Sequence, residues 1–241
     1  AGQVTESIDE RGNSVWYTYD LAGRRKTVED ALHHVTTFAY DASGNQVTAT
    51  DANNNTITYG YDTYHRRVRT TLADGSYTST SYDTMGRRAS ETDADGKTTS
   101  FHYDSLGRLD GVTDAAGGVT RYGYNEVGQQ ITQTDALNRV TRYEYDKLGR
   151  RVRRALALGQ AELYSYDDGG NLRFRRSFTG KLTEYQYDAM NRLVKTILPQ
   201  VIVGGAATKP TLEYTYNTAG KPLTFKDSNG NVTTTHYDDR G

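Results

Sequence analysis

A tyrosine followed by an aspartate or asparagine returns through this chain at a fixed interval, and that interval limits the fold more than any other feature. Tyr19, Tyr40, Tyr61, Tyr82, Tyr103, Tyr124, Tyr145, Tyr166 and Tyr187 stand 21 residues apart. Tyr216 and Tyr237 continue the series after one step of 29, so one repeat holds eight extra residues, and these fall within Leu198 to Pro210. A period of this size belongs to repeat architectures, in which each unit buries surface only against its neighbours. From Gly2 to Gly241 the chain covers eleven periods plus the insertion, and it starts and stops at the same phase. It reads as one repeat array, residues 1–241, cut from a longer one.

Two turn signals punctuate each period. Three residues after the Asp or Asn that follows each repeating tyrosine stand Gly23, Gly44, His65, Gly86, Gly107, Gly128, Gly149, Gly170, Asn191, Gly220 and Gly241. Such a spacing predicts a type I turn closed by a left-handed residue, the three-residue hairpin loop with a bulge. The leading carboxylate can bond the turn's own backbone. His65 and Asn191 depart from glycine, but both residue types tolerate positive φ. Half a period away the pattern recurs at Gly12, His33, Asn54, Gly75, Gly96, Gly117, Asn138, Gly159, Gly180 and Gly230. We refer to the two sets as YD turns and mid-period turns. Two turns per period leave strands of about seven residues, which predicts an all-β fold: a continuous antiparallel hairpin meander of roughly 22 strands.

Alternation assigns the faces. In the stretch Val140 to Asp146, Thr141, Tyr143 and Tyr145 share one side of a strand, and Val140, Arg142 and Glu144 the other. Thr36, Phe38 and Tyr40 repeat this, as do Thr183, Tyr185 and Tyr187. One face is therefore aromatic and the other mostly polar, with Tyr77 as the aromatic exception on the polar side. Neighbouring tyrosines are expected to form ladders of aromatic pairs across the sheet, each contributing about 0.2 to 1 kcal/mol. Composition matters here. Leu, Ile, Val and Phe make up only about a sixth of the chain, which with a large net charge would indicate disorder. The net charge is −1 and there are twenty tyrosines, so aromatic surface replaces the missing aliphatics. A sheet of this length accumulates twist and must curl. The aromatic face is expected on the concave side, with Tyr103, Tyr124, Tyr145 and Tyr166 and their partners Phe101, Tyr122, Tyr143 and Tyr164 inside. Arg142, Glu144, His102 and Glu184 then face the medium.

The elements "TYDLAGRR" and "TDADGKTT" resemble the YD repeats of the RHS family, and the likeness runs through essentially the whole sequence. The resemblance implies a β-sheet that spirals into a hollow shell, as in bacterial polymorphic toxins, insecticidal toxin complexes and the related teneurin ectodomains. In the toxins the shell encloses a C-terminal effector. The family's shell-closing DPxG core, with its aspartyl self-cleavage, has no counterpart, because no Asp in this chain precedes a Pro. The expected function is a structural wall segment of a secreted or cell-surface protein, whose partners are the flanking repeats and an enclosed effector domain of the parent chain. The alternative is an adhesive module that engages a carbohydrate or a cell surface.

Little in the sequence suggests chemistry. There is no cysteine, so thiolate nucleophiles and thiolate metal sites are excluded. Neither a nucleophile elbow nor a phosphate loop nor zinc-ligand spacing occurs, and no catalytic, metal or cofactor site is expected. The apolar run from Ile197 to Val203 is interrupted by Pro199 and Gln200, so no membrane span is expected. His33 and His34 are adjacent and so face apart on a strand; His102 and His236 share a repeat position six periods apart; His65 belongs to its turn. Asp20 with Arg24 and Asp104 with Arg108 resemble acid–base pairs, but a feature repeated at turn after turn is structural. Arg150, Arg151, Arg153 and Arg154, followed by Arg173, Arg175 and Arg176, form a basic patch that Glu144, Glu162 and Glu184 are placed to offset, and nucleic acid is not an expected partner. The insertion around Val201 to Thr208 is either drift or a binding loop.

Overall fold

The computed structural model describes residues 2–238, which form strands and turns without a helix. Gly241, the last expected turn residue, lies outside the described residues. The chain divides into two compact units, residues 1–119 and 120–241. In the first, eleven strands run from Glu6–Ile8 to Leu109–Thr113, each antiparallel to the next. The second repeats the arrangement from Val119–Tyr124, at the boundary, to Val232–Thr234. Within each unit the YD turns therefore lie along one edge of the ribbon and the mid-period turns along the other.

Turn chemistry sets the strand lengths. In the first YD turn the Gly23 N–H donates to the Asp20 carbonyl and the Asp20 N–H to the Arg24 carbonyl, both at 2.9 Å. Gly23 sits at φ +80°, where a side chain is strained. The register slips between Thr18 and Tyr19, a bulge that recurs one residue before each repeating tyrosine from Tyr19 to Tyr216. Because the turn with its bulge takes up Asp20 to Arg24, strands shorten to six residues before a YD turn and five after it, instead of about seven. His65 and Asn191 adopt positive φ, at 62° and 60°, and so do His33, Asn54 and Asn138 in mid-period turns. Leu72, Leu156 and Ser177 lead turns without a carboxylate, and those turns close through the same two backbone bonds. The left-handed residue, rather than the aspartate, is what this turn cannot do without.

The eight extra residues form a hairpin of their own. Val201–Val203 pairs with Ala206–Thr208 around Gly204 and Gly205, while Leu198 N–H donates to the Pro210 carbonyl at its base. Leu193–Ile197 and Thr211–Tyr216 pair directly, so the hairpin replaces a mid-period turn without disturbing the sheet. Burial is shallow on both faces. Among the described residues Ala155, at 7% exposure, is the buried hydrophobic side chain, and Glu162 and Thr196 are the buried polar ones, at 3% and 6%. Stability must come from lateral contacts between neighbouring strands rather than from a packed second layer. No helix among the described residues is long and apolar enough to cross a membrane.

Candidate functional site

The repeating tyrosine is the centre of a clasp that ties each repeat to the one before it. Backbone pairing between Arg25–Glu29 and Val35–Tyr40 runs from Glu29 opposite Val35 to Thr27 opposite Thr37. Towards the YD edge the Tyr40 hydroxyl takes over and donates to the Arg25 carbonyl at 2.8 Å. The same bond joins Tyr61 to Gln46, Tyr103 to Arg88, Tyr145 to Gln130, Tyr166 to Arg151 and Tyr187 to Leu172, always fifteen residues back. Across the insertion Tyr216 still reaches Leu193. A backbone carbonyl beyond the last ladder pair needs a partner, and the phenol supplies it where the strand pairing ends.

Arginine completes the clasp. Arg24 Nε donates to Asp20 Oδ2 at 2.7 Å, while Asp20 Oδ1 accepts from the backbone N–H groups of Ala22 and Arg24. Held in this way, the guanidinium lies over the Tyr40 ring of the next repeat, 4.6 Å from its centroid. Arg66 over Tyr82, Arg87 over Tyr103, Arg150 over Tyr166 and Arg192 over Tyr216 repeat it at 4.1 to 4.7 Å. Each such contact contributes about 0.5 to 1 kcal/mol at an exposed site. Ring-on-ring contacts, the expected basis of the ladder, occur at Trp16 with His33 and at Tyr214 with Phe225. The ladder is thus built of alternating guanidinium and phenol, because the turn arginine occupies the space a second ring would need. The Asp20, Asp104 and Asp146 carboxyls are held below the usual carboxylate range, first by the backbone N–H four residues on and then by the arginine side chain.

The arginine also governs the next turn. A Cβ on Gly86 would lie 3.1 Å from Arg66 Nη1, and one on Gly107 3.3 Å from Arg87 Nη1. Where asparagine stands in place of that arginine, the following turn residue is no longer glycine. Asn45 bonds His65 at 3.0 Å, and Asn171 donates to Asn191 Oδ1 at 2.8 Å. The shorter amide leaves room for a side chain and supplies it with a partner, so these two departures have a contact reason beyond tolerance of positive φ.

The basic patch is divided among several local partners. Arg150 serves its turn, Arg153 pairs with Glu144, and Arg154 and Arg175 both approach Glu162. Glu184 instead accepts from Gln186, so it does not offset an arginine as expected. Burial alone would raise the Glu162 carboxyl, but donation from Arg175 and Tyr164 outweighs it and holds the group below the usual range. On the polar face Tyr77 is joined by Trp16 and by Phe174, which pairs with Ser165 and Glu184. Arg69 covers the Tyr77 ring at 3.7 Å, and His33 stacks on Trp16 at 5.8 Å. His33 and His34 are engaged by Glu29 and Asp30. Among the described residues no group of three or more histidine or acidic side chains is arranged to hold a metal ion.

These features define a class: an all-β array of hairpin repeats clasped through tyrosine, arginine and backbone. The Teneurin YD-shell family model matches residues 2–172, and the chain belongs to that family. No curated protein matches it. Among solved structures it is similar in fold to TcdB2-TccC3-Cdc42, at 14% identity and a TM-score of 0.60, with 98% of this chain and 16% of that one covered. A TcdB2-TccC3-TEV structure gives 15% identity and a TM-score of 0.57 over 95% of this chain and 16% of the other. A Tc holotoxin pore from Photorhabdus luminescens gives 14% and 0.59, again over 95% and 16%. The chain therefore spans about a sixth of the length of each of these structures.

Proposed function

We propose that this chain is a non-catalytic wall segment of an RHS-repeat shell, which encapsulates and delivers a C-terminal toxin or effector domain of a secreted bacterial protein. The observation that carries the reading is the YD-shell match over residues 2–172 together with a clasp whose acids and bases are consumed by turn closure. Carboxylates held below their ordinary range by their own turns suit scaffolding and are poorly placed to exchange protons near neutral pH. The partners are flanking repeats and the enclosed domain, and the tyrosine face is the one that lines the enclosure. The adhesive reading has less support, because the polar-face rings of Trp16, Tyr77 and Phe174 each have a neighbouring side chain over them. The test is protease protection in the full-length chain that carries these repeats. Tyr145→Ala with Tyr166→Ala should expose the enclosed domain to digestion, whereas Arg142→Ala should leave it protected. Equal protection in all variants would remove the wall from the account.

A further inference from the structure

On its polar face the second unit departs from the repeat in one place. Leu163 stands at the repeat position that Arg121, Arg142, Glu184 and Glu213 fill elsewhere, and Phe174 at that of Arg69, Arg153 and Lys195. Ile197 likewise stands where other repeats have Thr134, Arg176 and Lys226. With Leu182 these residues lie on four successive strands, Ala161–Tyr166, Leu172–Arg176, Leu182–Tyr187 and Leu193–Ile197. Leu163 and Leu182 both pair with Arg176, whereas Phe174 and Ile197 both pair with Glu184, so the apolar side chains zigzag between two rows. Leu163 and Leu182 are 41% and 40% exposed, and Phe174, with Arg173 over its ring, is half-buried.

Two hollows meet at this place. One of about 330 Å³ lies among Leu163, Ser165, Phe174, Arg176 and Leu182. The other, of about 310 Å³, shares Leu182, takes in Glu184 and Ile197, and is walled by Leu198, Pro199 and Lys209 at the base of the inserted hairpin. Arg176, Lys181 and Lys209 are exposed around the hollows. Arg176 reaches the Gly180 carbonyl at 3.4 Å, and among the described residues none of these three cations makes an ion pair. The Glu184 carboxylate is taken up by Gln186. We propose that this groove seats an amphipathic, acidic helix of a partner protein, its apolar stripe on Leu163, Phe174, Leu182 and Ile197 and its carboxylates against Arg176, Lys181 and Lys209. The spacing selects a helix. Neighbouring strands lie about 4.8 Å apart, so the apolar side chains advance by that step along the groove and alternate between its two sides. A helix rising about 1.5 Å per residue presents side chains every third or fourth residue, at steps of about 4.5 to 6 Å that also alternate about one line. An extended segment repeats at about 6.8 Å along one face and falls out of step. The uncompensated cations on the rim favour an acidic helix over a basic one. The inference rests on the polar face and is independent of whether the other face encloses a domain.

The test is fluorescence polarisation with the full-length chain that carries these repeats. The probe is a short labelled helical peptide with leucine at every third or fourth position and glutamate between, and its control carries lysine in place of glutamate. Two paired variants are compared with wild type. Leu163→Arg with Phe174→Thr removes the apolar floor and installs the residue types that Arg142 and Thr132 supply at the same repeat positions, so the sheet is kept. Lys181→Glu with Lys209→Glu reverses the rim. Wild type should bind the glutamate peptide and not the lysine one. Each variant should weaken that binding roughly tenfold or more, and the rim variant should now take the lysine peptide. A glutamate peptide bound equally by all three proteins, or by none, would overturn the proposal. So would groove residues that instead pair two copies of the chain or hold it to phosphatidylglycerol vesicles.

Discussion

Gly86 faces the Arg66 guanidinium, whereas His65, one repeat earlier, faces the short side chain of Asn45, and this contrast gives a direct test of the turn contacts. Gly86→His alone should destabilise the chain by about 1 to 2 kcal/mol, from positive-φ strain and displacement of the arginine. In the background Arg66→Asn the same change should cost less, with a coupling of about 1 kcal/mol in a double-mutant cycle of urea unfolding. Strict additivity would show that the two positions do not sense each other. Gly107→Val, where Arg87 lies against the turn, should cost a similar 1 to 2 kcal/mol, roughly. The turn carboxylates predict the acid limb of stability. Their folded-state pKa values are depressed, so their contribution is fully present above the unfolded carboxylate range of about 4 and is lost as pH falls through the lower folded values. Thermal midpoints should be level between pH 7 and 5 and should drop steadily below about pH 4. A midpoint still level at the acid end would show that the aspartate bonds contribute nothing to folding.

Between neighbouring strands, the bond from the tyrosine hydroxyl to the carbonyl fifteen residues back is the feature most open to deletion. Tyr145→Phe keeps the ring but leaves the Gln130 carbonyl without its partner, at a cost of about 1 kcal/mol. Tyr143→Phe removes a hydroxyl that bonds only the Gln133 side chain and should cost less. Hydrogen exchange should show faster opening of Gln130–Thr134 and Val140–Tyr145 in the first variant than in the second. Replacing the insertion with an ordinary mid-period turn should leave stability within about 0.5 kcal/mol, because the strands on either side already pair directly and the hairpin adds only loop-closure entropy. The strands, their faces and the left-handed turn positions were legible from the period, since each follows from local backbone chemistry. The clasp was not, because its acceptor is a backbone carbonyl and no side-chain pattern marks it. Yet part of it was written in the sequence: Asn45 and Asn171 each stand twenty residues before a turn that lacks glycine, His65 and Asn191. Trp16 and Phe174 were missed as polar-face aromatics although they occupy the repeat positions of Arg142 and Arg153.

For the molecule as a whole, a ribbon with so few buried side chains is suited to being a wall rather than an independent globule. Its faces are half-buried, and turn carboxylates such as Asp20, Asp104 and Asp146 are occupied by their own turns. Those properties fit the YD-shell family to which it belongs and explain why the repeat is kept in phase through the insertion, with Tyr216 recovering its carbonyl on the far side. The central claim is that the tyrosine face lines an enclosure. Electron cryomicroscopy of the full-length chain that carries these repeats tests it most directly. The account predicts Tyr103, Tyr145 and Tyr166 turned towards a lumen that contains density for a further domain. The same tyrosines turned to the outer surface, around an empty or open sheet, would contradict it.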